Sequence, residues 1–171
     1  MKEPIQTQTK KKIPEKIKTI GGYVIIALIP VVFFLFFGIA HVNGESMSPK
    51  YHNGNLLLTG KFIRAGKGDI VAVKAKVDGE ETNLIKRVIA MGGDVVDIRQ
   101  NKVYVNGEEI DEPYIKEEMQ EYKDSIEFPY TVPQGELFVM GDNRNNSLDS
   151  RYKNTSHIKE SDVIGVVLFK L

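Results

Sequence analysis

Residues 84–98 read LIKRVIAMGGDVVDI, and this stretch indicates the fold class most clearly. Two short runs of apolar and β-branched residues lie on either side of Gly92-Gly93-Asp94. Runs of this kind favour strands, and glycine-rich clusters between them favour turns. The stretch therefore predicts two consecutive strands joined by a tight turn.

Similar runs recur along the chain, with turn residues such as Asn53-Gly54 and Asn106-Gly107 between them. The runs are Leu56-Leu57-Leu58, Asp69 to Val73, Lys102 to Val105, Leu137 to Met140 and Val163 to Phe169. Many short strands at close spacing predict a mainly β fold, with a small antiparallel, barrel-like β domain. The polar stretch from Glu108 to Ser125 has room for one short helix, at Tyr114 to Tyr122.

A long uncharged stretch precedes these strands. Residues 20–40 read IGGYVIIALIPVVFFLFFGIA, and about 20 apolar residues span a bilayer core as a helix. Six Lys and two Glu residues come before this stretch, so the positive-inside rule predicts a cytoplasmic N-terminus. We expect a cytoplasmic basic tail (1–19), a single transmembrane anchor helix (20–40) and an extracellular β domain (41–171) on the cell membrane.

Two alternatives for residues 20–40 remain. Gly38-Ile39-Ala40 resembles the small-x-small site at which a signal peptide is removed, but the apolar run is longer than the roughly 7–15 residues usual there. A buried core helix would have to be apolar on every face, which does not suit a domain of this size. An uncleaved anchor explains the stretch better than either.

Composition excludes several classes of function. Residues 20–171 hold 17 Lys and Arg and 21 Asp and Glu, because six of the 23 cationic and two of the 23 acidic residues come earlier. This net charge of −4 does not suit a nucleic-acid-binding surface, so no nucleic acid partner is expected. The absence of cysteine excludes disulfides and a Cys nucleophile. The histidines lack metal-ligand spacing, and we expect no metal and no cofactor.

Three segments carry candidate chemistry. Ser46 lies in Gly44-Glu45-Ser46-Met47-Ser48-Pro49, a turn that can expose a hydroxyl beside backbone N–H groups, as acyl transfer requires. Lys86 shares its predicted strand face with apolar residues alone, and burial lowers a lysine pKa from about 10.4 and makes the amine a usable base. The loop from Gly141 to Arg151 is dense in polar side chains, as is typical of a site scaffold. Taken singly, each segment also fits an ordinary polar loop or a surface strand.

In chain order, these segments resemble type I signal peptidases, in the small form found in Gram-positive bacteria. A basic stretch and an apolar helix come first, and the resemblance then continues over nearly the whole chain. Gly44 to Pro49 resembles the nucleophile segment, and Ile85 to Ile89 with Gly93-Asp94 resembles the general-base segment. The other matching segments are Gly68 to Val73, Val103 to Gly107, Glu112-Pro113-Tyr114 and Gly141 to Arg151.

The resemblance implies a membrane-bound serine endopeptidase that removes N-terminal signal peptides from secreted preproteins, after small residues at positions −3 and −1. It implies Ser46 as the nucleophile and Lys86 as the general base. The implied supporting residues are Ser147, which would orient Lys86, Arg87 paired with Asp142, and Asp149 paired with Arg151. The implied partners are preproteins and the lipid bilayer, and we expect a monomer that needs no cofactor.

The chain departs from the usual family pattern at Lys50-Tyr51 after the nucleophile segment, at Ala90-Met91-Gly92 before Gly93-Asp94, and at Asn154 near the last segment. These departures affect the expected shape of neighbouring loops, and none removes a catalytic group. Two rival interpretations remain. A Ser-Lys autoprotease of the LexA type is disfavoured by the anchor and by the lack of a DNA-binding segment. A catalytically idle, membrane-anchored β domain that binds exported partners would not activate Ser46.

Overall fold

The computed structural model describes residues 15–120, 125–155 and 158–171, and their side chains except at 15–22, 24 and 25. One helix precedes a series of strands in this part of the chain. The elements are α1 (Glu15–Phe36), β1 (Phe37–His41), β2 (Leu56–Gly60), β3 (Ile70–Val77), β4 (Glu80–Met91), β5 (Val95–Arg99), β6 (Lys102–Val105), β7 (Glu108–Glu109), β8 (Tyr130–Thr131), β9 (Glu136–Met140), β10 (Ile158–Lys159) and β11 (Val163–Lys170). A short 3-10 helix, Glu160–Asp162, lies between β10 and β11.

Helix α1 and strand β1 divide the predicted anchor stretch between them. The helix ends at Phe36 rather than at Ala40, because the next residues pair with β2, from Phe37 opposite Gly60 onward. No helix in the described ranges is both long enough and apolar enough to cross a membrane. The chain divides into one unit that ends at Leu35 and another that begins at Phe36. Most of the predicted basic tail, 1–14, lies outside the described residues.

Antiparallel pairing gives two sheets. The first has the strand order β1-β2-β11-β3-β4-β9-β10, and the second has the order β7-β6-β5-β8. The mainly β, antiparallel prediction is confirmed. The barrel-like form is wrong, because over the described residues the first sheet stays open between β1 and β10, and the strands from β5 to β8 pair only among themselves.

The short helix expected at Tyr114 to Tyr122 is absent from its described part, Tyr114 to Gln120. Backbone N–H groups there bond outside the segment, from Lys116 to the Asp142 carbonyl at 3.1 Å and from Gln120 to Asn145 Oδ1 at 2.8 Å. The bond from Gln120 takes a donor that a helix would need for its own turns, and the bond from Lys116 ties the segment to the loop after β9.

Strand β4 lies between β3 and β9 and contributes to two buried apolar clusters. Val88 belongs to the cluster with Val71, and Ala90 belongs to the cluster with Phe138. A third cluster is centred on the loop between β1 and β2, and its buried members are Val42, Met47, Tyr51, Leu57 and Ile70. Burying such side chains contributes about 1.5–3 kcal/mol each, so β4 and this loop are both firmly placed.

Candidate active site

The loop between β1 and β2 presents Ser46. Val42 closes the loop, because its N–H donates to the Asn55 carbonyl and its carbonyl accepts from the Gly54 N–H, both at 2.9 Å. Met47 is fully buried and anchors the loop in the third cluster. The serine hydroxyl is therefore carried by a loop whose ends and centre are fixed.

Lys86 meets this hydroxyl. Its Nζ lies 2.7 Å from Ser46 Oγ, although the two residues are forty positions apart. Lys86 is 3% exposed. Burial, the largest cause, lowers the pKa of Lys86 to about 8, while the Asp149 carboxylate raises it and the Arg151 guanidinium lowers it by smaller amounts. A lysine with this pKa is substantially neutral in mildly alkaline solution and can accept a proton from a hydroxyl.

Arg87, the next residue, has a different partner. Its Nε and Nη2 donate to the two carboxylate oxygens of Asp142, at 2.8 and 2.6 Å, and its Nη1 donates to the Gly68 carbonyl at 2.8 Å. The ring of Tyr114 lies 3.9 Å from the guanidinium carbon. The predicted Arg87–Asp142 pair is thus formed, with both carboxylate oxygens bonded to the guanidinium, next to Lys86 in the chain.

The Asp149–Arg151 pair is formed as well. Arg151 donates to Asp149 through Nε at 2.8 Å and Nη2 at 2.9 Å, and the Gly141 N–H donates to the same carboxylate at 3.0 Å. Burial alone would raise the pKa of Asp149, but these hydrogen bonds and the charge of Arg151 hold that pKa below its ordinary value. The pair is therefore ionised and fixes the loop after β9.

The same loop holds the backbone of the nucleophile, a role not expected from the sequence. Asn143 N–H donates to the Ser46 carbonyl at 2.9 Å, and Asn143 Nδ2 donates to the Glu45 carbonyl at 3.1 Å. A Cβ on Gly141 would come within 2.5 Å of the Ser46 carbonyl oxygen and 2.3 Å of Ser147 Oγ. Only glycine fits there, so the loop and the nucleophile lie in direct contact.

Ser147 does not make its expected hydrogen bond with Lys86. Its Oγ is buried and has no partner of ordinary hydrogen-bond geometry among the described residues. It lies close enough to Asp149 to be the weakest of the groups that lower the pKa of that carboxyl. The hydroxyl is thus at the site, against Gly141, but unpaired.

Glu112 and Arg144 form a further buried pair that sequence reasoning missed. Arg144 donates to both Glu112 carboxylate oxygens and, through Nε, to the Gly141 carbonyl at 3.0 Å. Tyr114 donates to Glu112 at 3.1 Å, and burial, the largest cause, raises the pKa of Tyr114 to about 12. Glu112-Pro113-Tyr114 was recognised as a matching segment, which was the available signal, but its role was not predicted.

His52 does not complete a catalytic triad with the described residues around it. His52 Nδ1 lies 3.0 Å from Glu45 Oε2 and 3.4 Å from Ser48 Oγ. A Ser-His-acid relay uses the two ring nitrogens separately, so one shared nitrogen cannot pass a proton along. Within the described ranges, no three His, Cys, Asp or Glu side chains are grouped to hold a metal ion.

Two of the departing residues, Lys50 and Gly92, lie beside the site rather than in it. The Lys50 side chain is exposed and its Nζ stands 5.8 Å from the Tyr51 ring centre. A Cβ on Gly92 would come within 2.9 Å of the backbone of Gln134 and Gly135. Gly92 therefore lets the turn after β4 pack closely against the segment before β9.

A family model described as signal peptidase, peptidase S26, matches residues 13–171. The chain belongs to the peptidase S26 family. Signal peptidase I U of Bacillus subtilis (strain 168) is 36% identical over 172 residues, which cover 94% of this chain and 90% of that relative. Signal peptidase I of Bacillus licheniformis is 38% identical over 163 residues, which cover 88% of this chain and 84% of that relative. A crystal structure of a signal peptidase I from Enterococcus faecalis V583 is 28% identical, has a TM-score of 0.49, and covers 62% of this chain and 98% of that chain.

Membership of the peptidase S26 family makes the chain a serine endopeptidase. The resemblance drawn from the ordered sequence segments is confirmed by these matches.

Proposed function

We propose that this signal peptidase removes N-terminal signal peptides from exported preproteins, after small residues at −3 and −1, with Ser46 as nucleophile and Lys86 as general base. The observation that carries the proposal is the 2.7 Å distance between Ser46 Oγ and the buried Lys86 Nζ. An idle β domain that only binds exported partners has no need of a buried lysine, whose desolvation is unfavourable.

The mechanism follows from this pair. Neutral Lys86 takes the proton of Ser46 as Oγ attacks the peptide carbonyl, which forms a tetrahedral oxyanion stabilised by backbone N–H groups of the Ser46 loop. Lys86 returns the proton to the leaving amine, and the acyl-enzyme remains. Lys86 then activates the water that releases Ser46. Ser147, whose hydroxyl lies beside Gly141 without a partner of ordinary geometry in the described part of the chain, orients the Lys86 amine while the hydrogen bond between Lys86 and Ser46 is broken.

Two strand edges supply the place for an extended peptide. β1 is the outer strand of its sheet, and β4 pairs with β9 only from Arg87 onward, so the β4 edge before Lys86 is open over the described residues. Ala40 and Ile85 pack against the apolar cluster at the nucleophile loop. A substrate strand on these edges points alternate side chains toward that cluster, which leaves room for small residues at −3 and −1.

The same proposal places the enzyme on a membrane as a single-pass protein, with its N-terminus in the cytoplasm and its β unit outside. Residues 20–40 carry no charge and follow a lysine-rich segment. The β unit also exposes large apolar side chains on β1, β2, β11 and the adjoining loop: Ile39, Leu56, Phe62, Ile63, Leu168 and Phe169. All the groups of the site come from one chain, so a monomer suffices.

The test is cleavage of a preprotein by the purified full-length chain in detergent, with sequencing of the new N-terminus. We expect Ser46→Ala and Lys86→Ala each to lower the rate by at least about 10³-fold. Ser161→Ala and Lys102→Ala replace exposed residues away from the dyad and serve as matched controls. Cleavage by either dyad variant at more than a tenth of the wild-type rate would refute the mechanism. Covalent labelling of Ser46 by an acylating inhibitor distinguishes the enzyme from an idle domain.

A further inference from the structure

The outer half of the β3–β4 hairpin is a two-stranded ribbon that a third segment touches through one bridge, between Val77 and Thr155. Over the described residues, β11 pairs with β3 only as far as Val73, and β9 pairs with β4 only from Arg87. Residues 74–77 and 80–83 pair with each other beyond those limits. A two-stranded ribbon alone is at best marginally stable in water. Its position therefore depends on the burial of Ala75 in the cluster around Val71, on the Val77–Thr155 bridge and on how its tip is held.

Asp78 holds the tip. Asp78 and Gly79 form a two-residue turn with φ values of 52° and 84°, as a type I′ hairpin requires. Asp78 Oδ1 accepts hydrogen bonds from Tyr152 Oη at 3.0 Å and from Asn154 Nδ2 at 2.9 Å. Asp78 N–H donates to the Asn154 carbonyl at 3.2 Å. We call these three hydrogen bonds the Asp78 clamp.

The clamp fastens the ribbon to the loop that supports the dyad. Tyr152 N–H donates to the Asp149 carbonyl at 2.9 Å, and the Asp149 carboxylate acts on the pKa of Lys86. At its other end, the ribbon strand β4 runs directly into Lys86. The clamp thus ties together two segments that both lead to the general base.

We propose that Asp78 is a positioning residue that holds residues 80–85 of β4 ready to receive the substrate strand. The inference rests on the proposed function, in which the peptide pairs with this open edge. Asp78 is exposed at the hairpin tip and acts through the strand rather than on the reacting atoms. A strand that is already ordered loses less conformational entropy when a peptide pairs with it, so the clamp lowers KM for long substrates.

The experiment compares two substitutions in the full-length chain in detergent. Asp78→Gly keeps the positive φ and removes the acceptor, and we expect a KM for preprotein about three- to tenfold higher with kcat near wild type. Amide hydrogen exchange at residues 80–85 should become faster by a similar factor. Asp78→Asn keeps both the acceptor and the left-handed backbone, and should restore KM and exchange. Gln100→Gly, at a φ of 50° in the turn between β5 and β6, is the matched control.

A wild-type KM and wild-type exchange in Asp78→Gly would overturn the clamp. A lower kcat at unchanged KM would also overturn it, because that result would place Asp78 in the chemistry. Labelling of Ser46 by a small acylating inhibitor needs no strand pairing, so Asp78→Gly should label at the wild-type rate. Failure of the wild-type chain to cleave preprotein would count against the proposed function alone, since amide exchange tests the clamp without any cleavage.

Discussion

Lys86 and Arg87 are consecutive residues of β4, are 3% and 6% exposed, and have opposite surroundings. Arg87 donates two hydrogen bonds to the Asp142 carboxylate. Lys86 lies within hydrogen-bond distance of the Ser46 hydroxyl, and the Asp149 and Asp142 carboxylates act on its pKa only through space. Pairing keeps a buried cation charged, and burial without pairing favours loss of its proton. The partner, more than the depth of burial, decides whether such a group supports the fold or acts as a base.

Replacing Lys86 by arginine should have the largest effect on cleavage and test this contrast most directly. Lys86→Arg places a guanidinium at this position, which stays protonated in proteins and cannot act as a base. We therefore expect the cleavage rate to fall by at least about 10³-fold. Single-turnover cleavage of a preprotein measures the loss. Arg87→Lys, the reciprocal change, keeps a cation beside Asp142 but loses the bidentate contact and the Tyr114 stacking, and should lower cleavage by about 10- to 100-fold. Similar losses in the two variants would contradict the different roles.

Removing the partner of Arg87 should have the next largest effect. Asp142→Asn leaves a buried guanidinium without its carboxylate and should lower the free energy of unfolding by about 3 kcal/mol. Urea denaturation in detergent measures it. Asp97→Asn breaks the more exposed pair with Arg99, 2.9 Å apart, and should change stability by less than about 1 kcal/mol. Equal losses would show that burial adds nothing to the Arg87 pair.

The pH dependence of cleavage tests whether Lys86 is the general base. Since the pKa of Lys86 is about 8 and only the neutral amine accepts a proton, kcat/KM should fall about tenfold per pH unit below that value. A profile whose acid limb is centred two units lower would point to another base.

The pH dependence of the free energy of unfolding should also reflect the lowered pKa of Lys86. The pKa of Lys86 is about 8 in the folded chain and about 10.4 in the unfolded one, so between these values the unfolded chain binds more protons. Wild-type stability relative to Lys86→Met should therefore rise with pH across this window, by about 3 kcal/mol in all, and the gain should be lost as the pH falls to about 8. A pH-independent difference would contradict a buried, desolvated lysine.

Ser147→Ala should give the smallest effect. Because the Ser147 hydroxyl has no partner of ordinary hydrogen-bond geometry among the described residues, its removal should change the free energy of unfolding by less than about 1 kcal/mol. The proposed orienting role predicts a kcat about three- to tenfold lower, at unchanged KM. A wild-type kcat would remove Ser147 from the mechanism, and a large loss of stability would reveal a hydrogen bond.

Strand alternation was enough to separate Lys86 from Arg87, because a strand turns successive side chains to opposite faces. Alternation did not bring Ser46 to Lys86, since their contact crosses forty residues and depends on tertiary packing. The contact between Ser46 and Lys86 was predicted from the resemblance of the ordered segments to signal peptidases. The short apolar runs likewise predicted five of the seven strands of the first sheet and two of the four strands of the second.

Other features depended on partners distant in the sequence. The helix expected at Tyr114 fails because Tyr114 packs on Arg87 and its neighbours donate to the loop after β9. The Glu112–Arg144 pair spans 32 residues, and no local pattern marks it. The end of α1 was misplaced because residues after Phe36 are as apolar as those before it, and pairing with β2 decides their conformation.

The pairing of β1 with β2 also limits whether the protease can cleave its own chain. Gly38-Ile39-Ala40 carries the small-x-small pattern expected of a cleavage site, and these residues lie opposite Thr59, Leu58 and Leu57. A scissile segment enters a protease as a single extended chain, so a neighbouring copy would first have to peel β1 away from β2. Autolysis after Ala40 would therefore report loss of this outer strand rather than ordinary turnover.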